Sequence, residues 1–410
     1  MKPRKIVLAM LIIGSTAINA QVVPATNGPT GLSVSGNLHY DLRYSQSAQF
    51  YGGNLGNVQS STASGELTYA NLSESRPLSL TYSGGDRWNI SGGSSGTGVF
   101  QHLLVSQGVL GRSWALSLSN DLSYMPQAPT TGFSGIPGVG GLPSQPDQPS
   151  QSILTLNTRS IYNTLNPSFT HSLDHATSLG LNGNYRILRF PHGDGLDMNQ
   201  WQLSAQVSRR INALNSISGQ YTFSRFSYPD FAITMETHSA QFGCQRTWNR
   251  RLKTSVSAGP QWIRGSDSLK IPSSTNLSVN ANVTYETSLT SANLSYSQAA
   301  TGGAGVTTAI GVHNQDLRAV LSRQFSRTLS LGTTGAFMRT QGLHQNGVTN
   351  GKFGGVTATQ RLGRYVIVFA NYSAIQQSSS SALPTNAIRG LSHVIGFGIG
   401  YSPREMHFKK

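Results

Sequence analysis

The feature of this sequence that most constrains its fold is a strict alternation of apolar and polar residues, which continues for ten or more positions at a time. In residues 32–44 one face would carry Leu32, Val34, Leu38, Tyr40, Leu42 and Tyr44, and the intervening side chains are polar. The pattern returns in residues 114–124, 201–207, 217–223, 277–285 and 395–401. Successive side chains of a strand point to opposite faces, so each run predicts a two-faced strand. Alternation over about ten residues suits a tilted strand that crosses a bilayer, with its apolar face toward lipid.

The composition agrees with such a wall. Only 11% of the 410 residues are charged, about half of the ~25% that is usual for soluble domains. Disorder is excluded because 9% of the residues are aromatic, whereas disordered chains are rich in charge and poor in aromatic side chains. The single cysteine, Cys244, excludes an intramolecular disulfide framework and a cysteine metal cluster. The net charge of +15 does not indicate a nucleic-acid partner, since the arginines cluster near strand ends and no basic helix is present.

The first twenty residues have the pattern of a secretory signal peptide. A basic segment at 1–5 precedes an apolar run at 6–13 and a small-residue cleavage site before Gln21. The run is too short for a membrane-spanning anchor. We therefore predict a signal peptide at 1–20, a periplasmic N-terminal segment at 21–31, a barrel at 32–401 and a periplasmic C-terminal tail at 402–410.

An internal repeat sets the number of strands. Short polar turns recur at intervals of 37–39 residues, with one interval of 63 that holds a Pro/Gly-rich insertion; they lie near Glu74, Gly111, Asp174, Asn212, Asn249, Thr287, Ser326 and Gly363. Eight hairpins plus a first strand at 32–45 and a last strand at 389–401 make eighteen. The fold class is thus all-β: a closed antiparallel transmembrane β-barrel of about 18 strands. Sixteen is the main alternative, because the alternation is blurred at 98–109, 153–172 and 350–361.

The closing strand and the hairpins carry a resemblance to known proteins. Over essentially the whole mature chain the sequence resembles bacterial outer-membrane β-barrels, which implies an outer-membrane location. It also implies a C-terminal signal for the barrel assembly machinery at Gly396, Ile399 and Tyr401, although Val394 replaces the usual polar residue and the chain continues past Tyr401. The hairpins 206–221 and 241–258 are similar to β-barrel porins found beside exopolysaccharide export clusters. That similarity implies a conduit for polysaccharide.

Strand parity separates the charged residues into two groups. Those expected in the lumen are Arg43, Arg186, Arg210, Arg318, Arg361, Asp41, Glu66, Glu286 and Asp316. Their mildly positive sum raises the hypothesis of weak anion preference or affinity for acidic glycans. Most other arginines are expected at the membrane interfaces, where they contact lipid phosphates. At the outer rim Arg189, Arg225, Arg264 and Arg339 would suit phosphates of lipopolysaccharide.

The sequence gives little support for catalysis or a cofactor. His171, Asp174 and His175 lie together in an expected turn, which makes solvated turn residues the simpler interpretation. Asp194, Asp197 and Asn199 offer oxygens for a weak Ca²⁺ candidate, but not with EF-hand spacing. We expect no catalytic residue, metal or cofactor.

Several functions remain open at this point. The leading one is an outer-membrane pore for hydrophilic solutes, with the exit of exopolysaccharide as its specific form. The alternatives are an anchoring, adhesin or receptor barrel without transport, a barrel enzyme and a soluble secreted β protein. The Pro/Gly-rich loop at 125–152 is expected at the surface, with a role as plug or constriction left open. Oligomeric state is not indicated.

Overall fold

In a computed structural model, the described residues form an all-β structure. They are 35–50, 57–71, 73, 75–91, 98–125, 159–191, 196–265, 273–303, 310–343, 347–380, 390–403 and 406–409. The strands are β1 (Ser35–Phe50), β2 (Asn57–Asn71), β3 (Leu78–Ser91), β4 (Gly98–Leu110), β5 (Trp114–Met125), β6 (Ser160–Ser172), β7 (Thr177–Arg189), β8 (Met198–Arg210), β9 (Asn215–Tyr228), β10 (Ile233–Thr247), β11 (Leu252–Gly265), β12 (Ser274–Glu286), β13 (Thr290–Thr301), β14 (Val312–Gln324), β15 (Leu329–Gly342), β16 (Val348–Leu362), β17 (Val366–Ser379), β18 (Gly390–Tyr401) and β19 (Met406–Lys409). A short 3-10 turn spans Pro229–Phe231.

The wall is a closed barrel of eighteen strands. Each strand from β1 to β17 pairs antiparallel with the next, and β18 returns to pair with β1 from Leu42↔Tyr401 to Phe50↔His393. The predicted count of eighteen is confirmed, and the alternative of sixteen is wrong. The stretches 98–109 and 350–361 belong to β4 and β16, and the described part of 153–172 belongs to β6. Among the described strands closure leaves no unpaired edge, as a barrel in lipid requires.

The last strand, β19, is not a wall strand of its own. It pairs with the first residues of β1, from Ser35↔Lys409 to Leu38↔Met406, so it extends the line of β18 along the same neighbour. The register of β19 against β1 is shifted by one residue relative to the register of β18 against β1. Residues within the expected C-terminal tail therefore cover the edge of β1 at its N-terminal end.

Eight short connections lie at one end of the barrel, at the predicted positions. Several use the same device: a polar side chain at the first turn residue accepts backbone N–H groups two and three residues later. Asn212, Asn249, Thr287 and Ser326 all do so. Gly363 has a positive φ of 71°, which glycine tolerates. Glu74 lies outside the described residues.

Asp174 uses this device in the β6–β7 turn, where its Oδ1 accepts the N–H groups of Ala176 and Thr177 at 2.6 Å each. These hydrogen bonds, of which the one from Ala176 has the largest effect, hold the pKa of the carboxyl below its ordinary value of 3.8. Because the pKa is lowered on folding, the carboxylate contributes its full stabilisation of the turn at pH values above the pKa of the unfolded chain. That stabilisation is lost as the pH falls through the lower pKa of the folded protein.

We expect Asp174→Asn to keep the turn at neutral pH, because asparagine fills the equivalent position at Asn212 and Asn249, and to remove its pH dependence. The amide proton shift of Thr177, followed by NMR, should titrate at acidic pH in the wild type and stay constant in Asp174→Asn. Asp174→Ala, which has no acceptor, should show the altered shift at every pH. An Asn variant that behaves like the Ala variant at neutral pH would contradict this account.

Nine connections lie at the other end, which is the outer side, since short turns face the periplasm in such barrels. From the sequence we predict outer loops at 46–61 and 342–352, among others. The strands reach farther into both than predicted, because β1 continues to Phe50, β2 begins at Asn57 and β16 begins at Val348. The predicted signal peptide and most of the Pro/Gly-rich segment lie outside the described residues.

The two faces of the wall follow the sequence alternation. Large apolar side chains are exposed on the outer face at every level of the membrane belt, with Leu203 61%, Phe397 62% and Phe242 64% exposed. The alternate positions, such as Ser204 and Gln241, point into the barrel. Of the assembly-signal residues, Ile399 and Tyr401 lie on the outer face and Gly396 on the inner one.

Candidate functional site

The lumen is the candidate functional site, and small polar side chains line most of it. Hydrogen bonds between strands join these side chains: Gln241 Nε2 on β10 donates to Ser278 Oγ on β12 at 2.7 Å, and Ser257 Oγ on β11 donates to Gln241 Oε1 at 3.1 Å. Farther round the wall, Asn293 Nδ2 donates to Asn282 Oδ1 at 3.0 Å. Hydroxyl and amide side chains donate and accept hydrogen bonds without carrying a formal charge, so the lining is polar and nearly neutral.

The inward-facing side chains are more deeply buried at the outer end of the lumen than at its periplasmic end. On β8 the outermost inward positions, Met198 and Gln200, are both 2% exposed, whereas Gln202, Ser204 and Gln206 are half-buried. On β10 the inward residues from Ile233 to Ser239 are buried, and Gln241 is half-buried. The lumen is therefore wider at the periplasmic end and narrower at the outer end.

An apolar cluster accounts for part of this narrowing. It lies inside the barrel at the outer ends of β7 to β13 and consists of Leu188, Phe190, Met198, Phe226, Tyr228, Ile233, Met235, Ile263 and Ala300. Most of its members stand at inward positions where the sequence analysis expected polar residues. The sequence does contain a sign of this cluster. At the outer ends of the strands the alternation is lost, because apolar residues also stand at the positions that face the lumen.

The outer end of β13 folds into the mouth and completes the cluster. The paired register of β12 and β13 ends at Val279↔Gln298, and beyond it Ala300 bonds to the side chain of Gln261 on β11: its N–H donates to Oε1 at 2.8 Å and its carbonyl accepts from Nε2 at 2.9 Å. Gly302 continues inward, and its carbonyl accepts the hydroxyl of Tyr228 on β9. A Cβ at Gly302 would lie 2.5 Å from the Phe226 ring, so glycine permits this close approach.

The nine charged residues expected in the lumen all stand at inward positions of the observed register. Two acids lie beside an arginine two positions along the same strand: Asp41 Oδ2 is 2.9 Å from Arg43 Nη2, and Asp316 Oδ2 is 3.7 Å from Arg318 Nη2. Arg186 is 3% exposed and lies over the Tyr162 ring, 5.5 Å from its centroid. Arg210 Nη2 donates to the His175 carbonyl at the periplasmic end. Glu66, Glu286 and Arg361 face the lumen on β2, β12 and β16.

Further inward ionisable residues escaped the sequence analysis. They are His39, Arg87, His102, Asp121 and Lys253. His102 Nε2 and Asp121 Oδ1 are 2.9 Å apart, and Arg87 Nε donates to Ser60 Oγ at 3.1 Å. The strand parity of β1, β3, β4, β5 and β11 would have found them. Among the described lumen positions, seven Lys or Arg and five Asp or Glu give 7 − 5 = +2.

The weak calcium candidate does not form a free oxygen cluster. Asp197 Oδ1 accepts the N–H of Phe190 at 2.8 Å, and its Oδ2 is 3.6 Å from Arg189 Nε. Asn199 Oδ1 accepts from Arg189 Nη2 at 2.6 Å. A guanidinium therefore stands where a cation would have to bind. Asp194 lies outside the described residues.

The remaining catalytic and metal expectations concern the turn at 171–175. His171 faces outward on β6, and Asp174 uses its oxygen in the turn itself. Nowhere in the described ranges do three or more His, Cys, Asp or Glu side chains form a metal-binding group. Over the same ranges no helix has the length and apolar character to cross a membrane.

The closed wall, its exposed apolar belt and its polar lumen define the architecture of a bacterial outer-membrane β-barrel. No family model matches the sequence, and no curated protein matches it. Among solved structures the chain is similar to Pseudomonas aeruginosa OccK2 (OpdF), with 12% identity over 90% of this chain and 97% of that one and a TM-score of 0.48. It is also similar to a BenF-like porin from Pseudomonas fluorescens Pf-5 (10% identity, 90% and 98% covered, TM-score 0.48) and to Acinetobacter baumannii OccAB3 (10%, 90% and 99%, TM-score 0.46).

Proposed function

We propose that the protein is a passive pore for small hydrophilic solutes across the outer membrane. The observation that carries the proposal is the polar lining over most of the inner face of a closed eighteen-strand wall. A barrel of 16–18 strands is wide enough for an aqueous channel. An anchoring or adhesin barrel would not require an inner face lined over most of its length by serine, threonine, asparagine and glutamine.

The charge of the lining supports a weak preference for anions. The acids Asp41 and Asp316 each lie beside an arginine, so they do little to attract free cations. Arg186 has a tyrosine ring beside it and no carboxylate within ion-pair distance among the described residues. Side-chain charges near a constriction select ions of the opposite sign. The preference is small because the net charge at described lumen positions is only +2.

Export of a polysaccharide is the finer form of this function that the hairpin resemblance implies. A hydrated polymer needs an unobstructed passage at both ends of the barrel. The buried outer lumen, with Tyr228 and Met235 both 0% exposed, favours small solutes over an assembled chain. We therefore propose diffusion of small solutes first and polymer export second.

Planar-bilayer recording tests the proposal. The wild type should conduct with a steady ohmic current, and its reversal potential in a KCl gradient should show weak anion preference. Arg186→Gln with Arg361→Gln lowers the inward charge by two, from +2 to 0, so the preference should vanish. Arg323→Gln is the matched control, because Arg323 lies at an outward position, over the Phe325 ring, and should leave the reversal potential unchanged.

Absence of conductance from a barrel that shows heat-modifiable migration in gels would refute the pore and favour the anchor. Conductance with cation preference would refute the proposed anion preference but leave the pore proposal standing. Passage of long dextrans, in a liposome swelling assay, would reverse the order of small-solute diffusion and polymer export.

A further inference from the structure

The last third of the chain has an extreme charge imbalance. Residues 317–404 contain no Asp or Glu and nine Lys or Arg. This segment supplies most of β14 and all of β15 to β18, so the sector of β15 to β18 has no carboxylate on either face, and Asp316 near the outer end of β14 faces the lumen. Any cation that faces outward there meets no acidic neighbour on its own or the adjoining strands of the sector.

Two cations face outward near the outer end of this sector. Arg339 on β15 and Lys352 on β16 are both exposed, and the neighbours of Arg339 along the strand, Met338 and Thr340, are buried on the lumen side. The register pairs Arg339 with Asn350 and Phe337 with Lys352, so the two cations are diagonal neighbours. Their Cα atoms are then about 7–8 Å apart. We call Arg339 and Lys352, with the flanking Gln315 and Gln376, the β14–β17 patch.

The level of the patch matches a lipid headgroup. Arg339 lies three residues before the end of β15, and at ~3.4 Å per residue it is about 10 Å along the strand from the outer end. Directly below it the outer face turns apolar, with Phe337 39%, Leu317 42% and Val356 41% exposed. Cations and amides therefore stand above a surface that acyl chains can cover.

Farther round the barrel, the outward-facing rim arginines of β7, β9 and β11 each lie beside a carboxylate. There Arg225 Nη1 is 3.7 Å from Glu236 Oε1, and the register places Arg264 on the other side of the same carboxylate. Arg189 lies beside Asp197 in the same way. An arginine that already has a carboxylate partner offers less to a phosphate, so the two sectors differ in what they can bind although both carry arginine.

We infer that the β14–β17 patch binds a phosphate group of lipopolysaccharide in the outer leaflet. Arg339 supplies a planar fork for two phosphate oxygens, and Lys352 supplies a second point charge a diagonal step away. The glutamines donate further hydrogen bonds to phosphate or sugar oxygens. The site is on the outside of the wall and does not depend on what passes through the lumen.

The inference is tested by titrating the detergent-solubilised full-length barrel with diphosphoryl lipid A and counting bound lipid by native mass spectrometry. Arg339→Gln with Lys352→Gln should weaken binding roughly tenfold or more, as expected when charge-assisted contacts to phosphate are lost. Arg225→Gln, on β9, is the matched control and should stay within about twofold of the wild type. Folding of each variant is checked by heat-modifiable migration.

Three outcomes would overturn the inference. They are wild-type affinity in the double variant, an equal loss in Arg225→Gln, and displacement of the lipid by millimolar inorganic phosphate, which would indicate a free-phosphate site. Equal binding of phosphatidylglycerol would count against the phosphorylated glycolipid as the ligand. Loss of lipid A binding with unchanged conductance would support the inference and separate it from the pore proposal.

Discussion

Replacing Leu203 with arginine should lower the free energy of unfolding in lipid vesicles by about 2–4 kcal/mol, the cost of a charge at the middle of the lipid face. Leu203 is 61% exposed and stands near the middle of β8, between Gly183 on β7 and Phe223 on β9. The guanidinium cannot reach either interface without distorting the strand. Urea titration of the barrel in phosphatidylcholine vesicles, followed by tryptophan fluorescence, measures the change.

The matched control is Ser204→Arg, one residue along the same strand. Ser204 is half-buried on the lumen side, where water solvates a new charge, so its free energy of unfolding should change by less than about 1 kcal/mol. Strand propensity and chain position are nearly the same in the two variants, and only the face differs. Equal losses in both variants would mean that the two faces of β8 are wrongly assigned.

The face assignment is the part of the fold that the sequence predicts best. Period-2 alternation fixes parity, and the repeat of the short turns fixes strand number, because both are local and occur many times. Strand ends were predicted too short for a physical reason. Past Tyr44 the outer face of β1 turns polar at Gln46, since that level faces headgroups rather than acyl chains, and polar residues on both faces resemble a loop.

The candidate site was predicted only in part. Strand parity located Arg43, Arg186 and the other seven lumen charges, because parity needs no long-range contact. It could not predict that β13 leaves β12 and that Gly302 reaches Tyr228, which is 74 residues earlier in the chain. Nor does any local pattern reveal β19, whose four residues are too few to show alternation and gain their partner only when β1 and β18 meet.

Widening the outer mouth is the second large effect that we expect. Phe226→Ala with Tyr228→Ala removes two buried rings from the apolar cluster, together with the hydroxyl that holds the Gly302 carbonyl. The outer end of β13 then loses its contact with β9 and keeps only the bonds of Ala300 to Gln261, so the narrow outer passage widens. Single-channel conductance should rise roughly twofold or more, because the constriction of a pore dominates its resistance.

Two further variants separate the constriction from general damage to β9. Phe223→Ala removes the same side chain from the outer face of the same strand, where Phe223 lies 5.1 Å from the His238 ring, and should leave conductance unchanged. Tyr228→Phe keeps the ring but removes the hydroxyl bond, so it should add brief opening events without a large change in the mean current. If the double variant folds but conducts like the wild type, the narrowest point lies elsewhere. If Phe223→Ala raises conductance as much, loss of wall stability is the cause. Only a rise confined to the inward-facing rings identifies the cluster as the part of the lumen that limits flow.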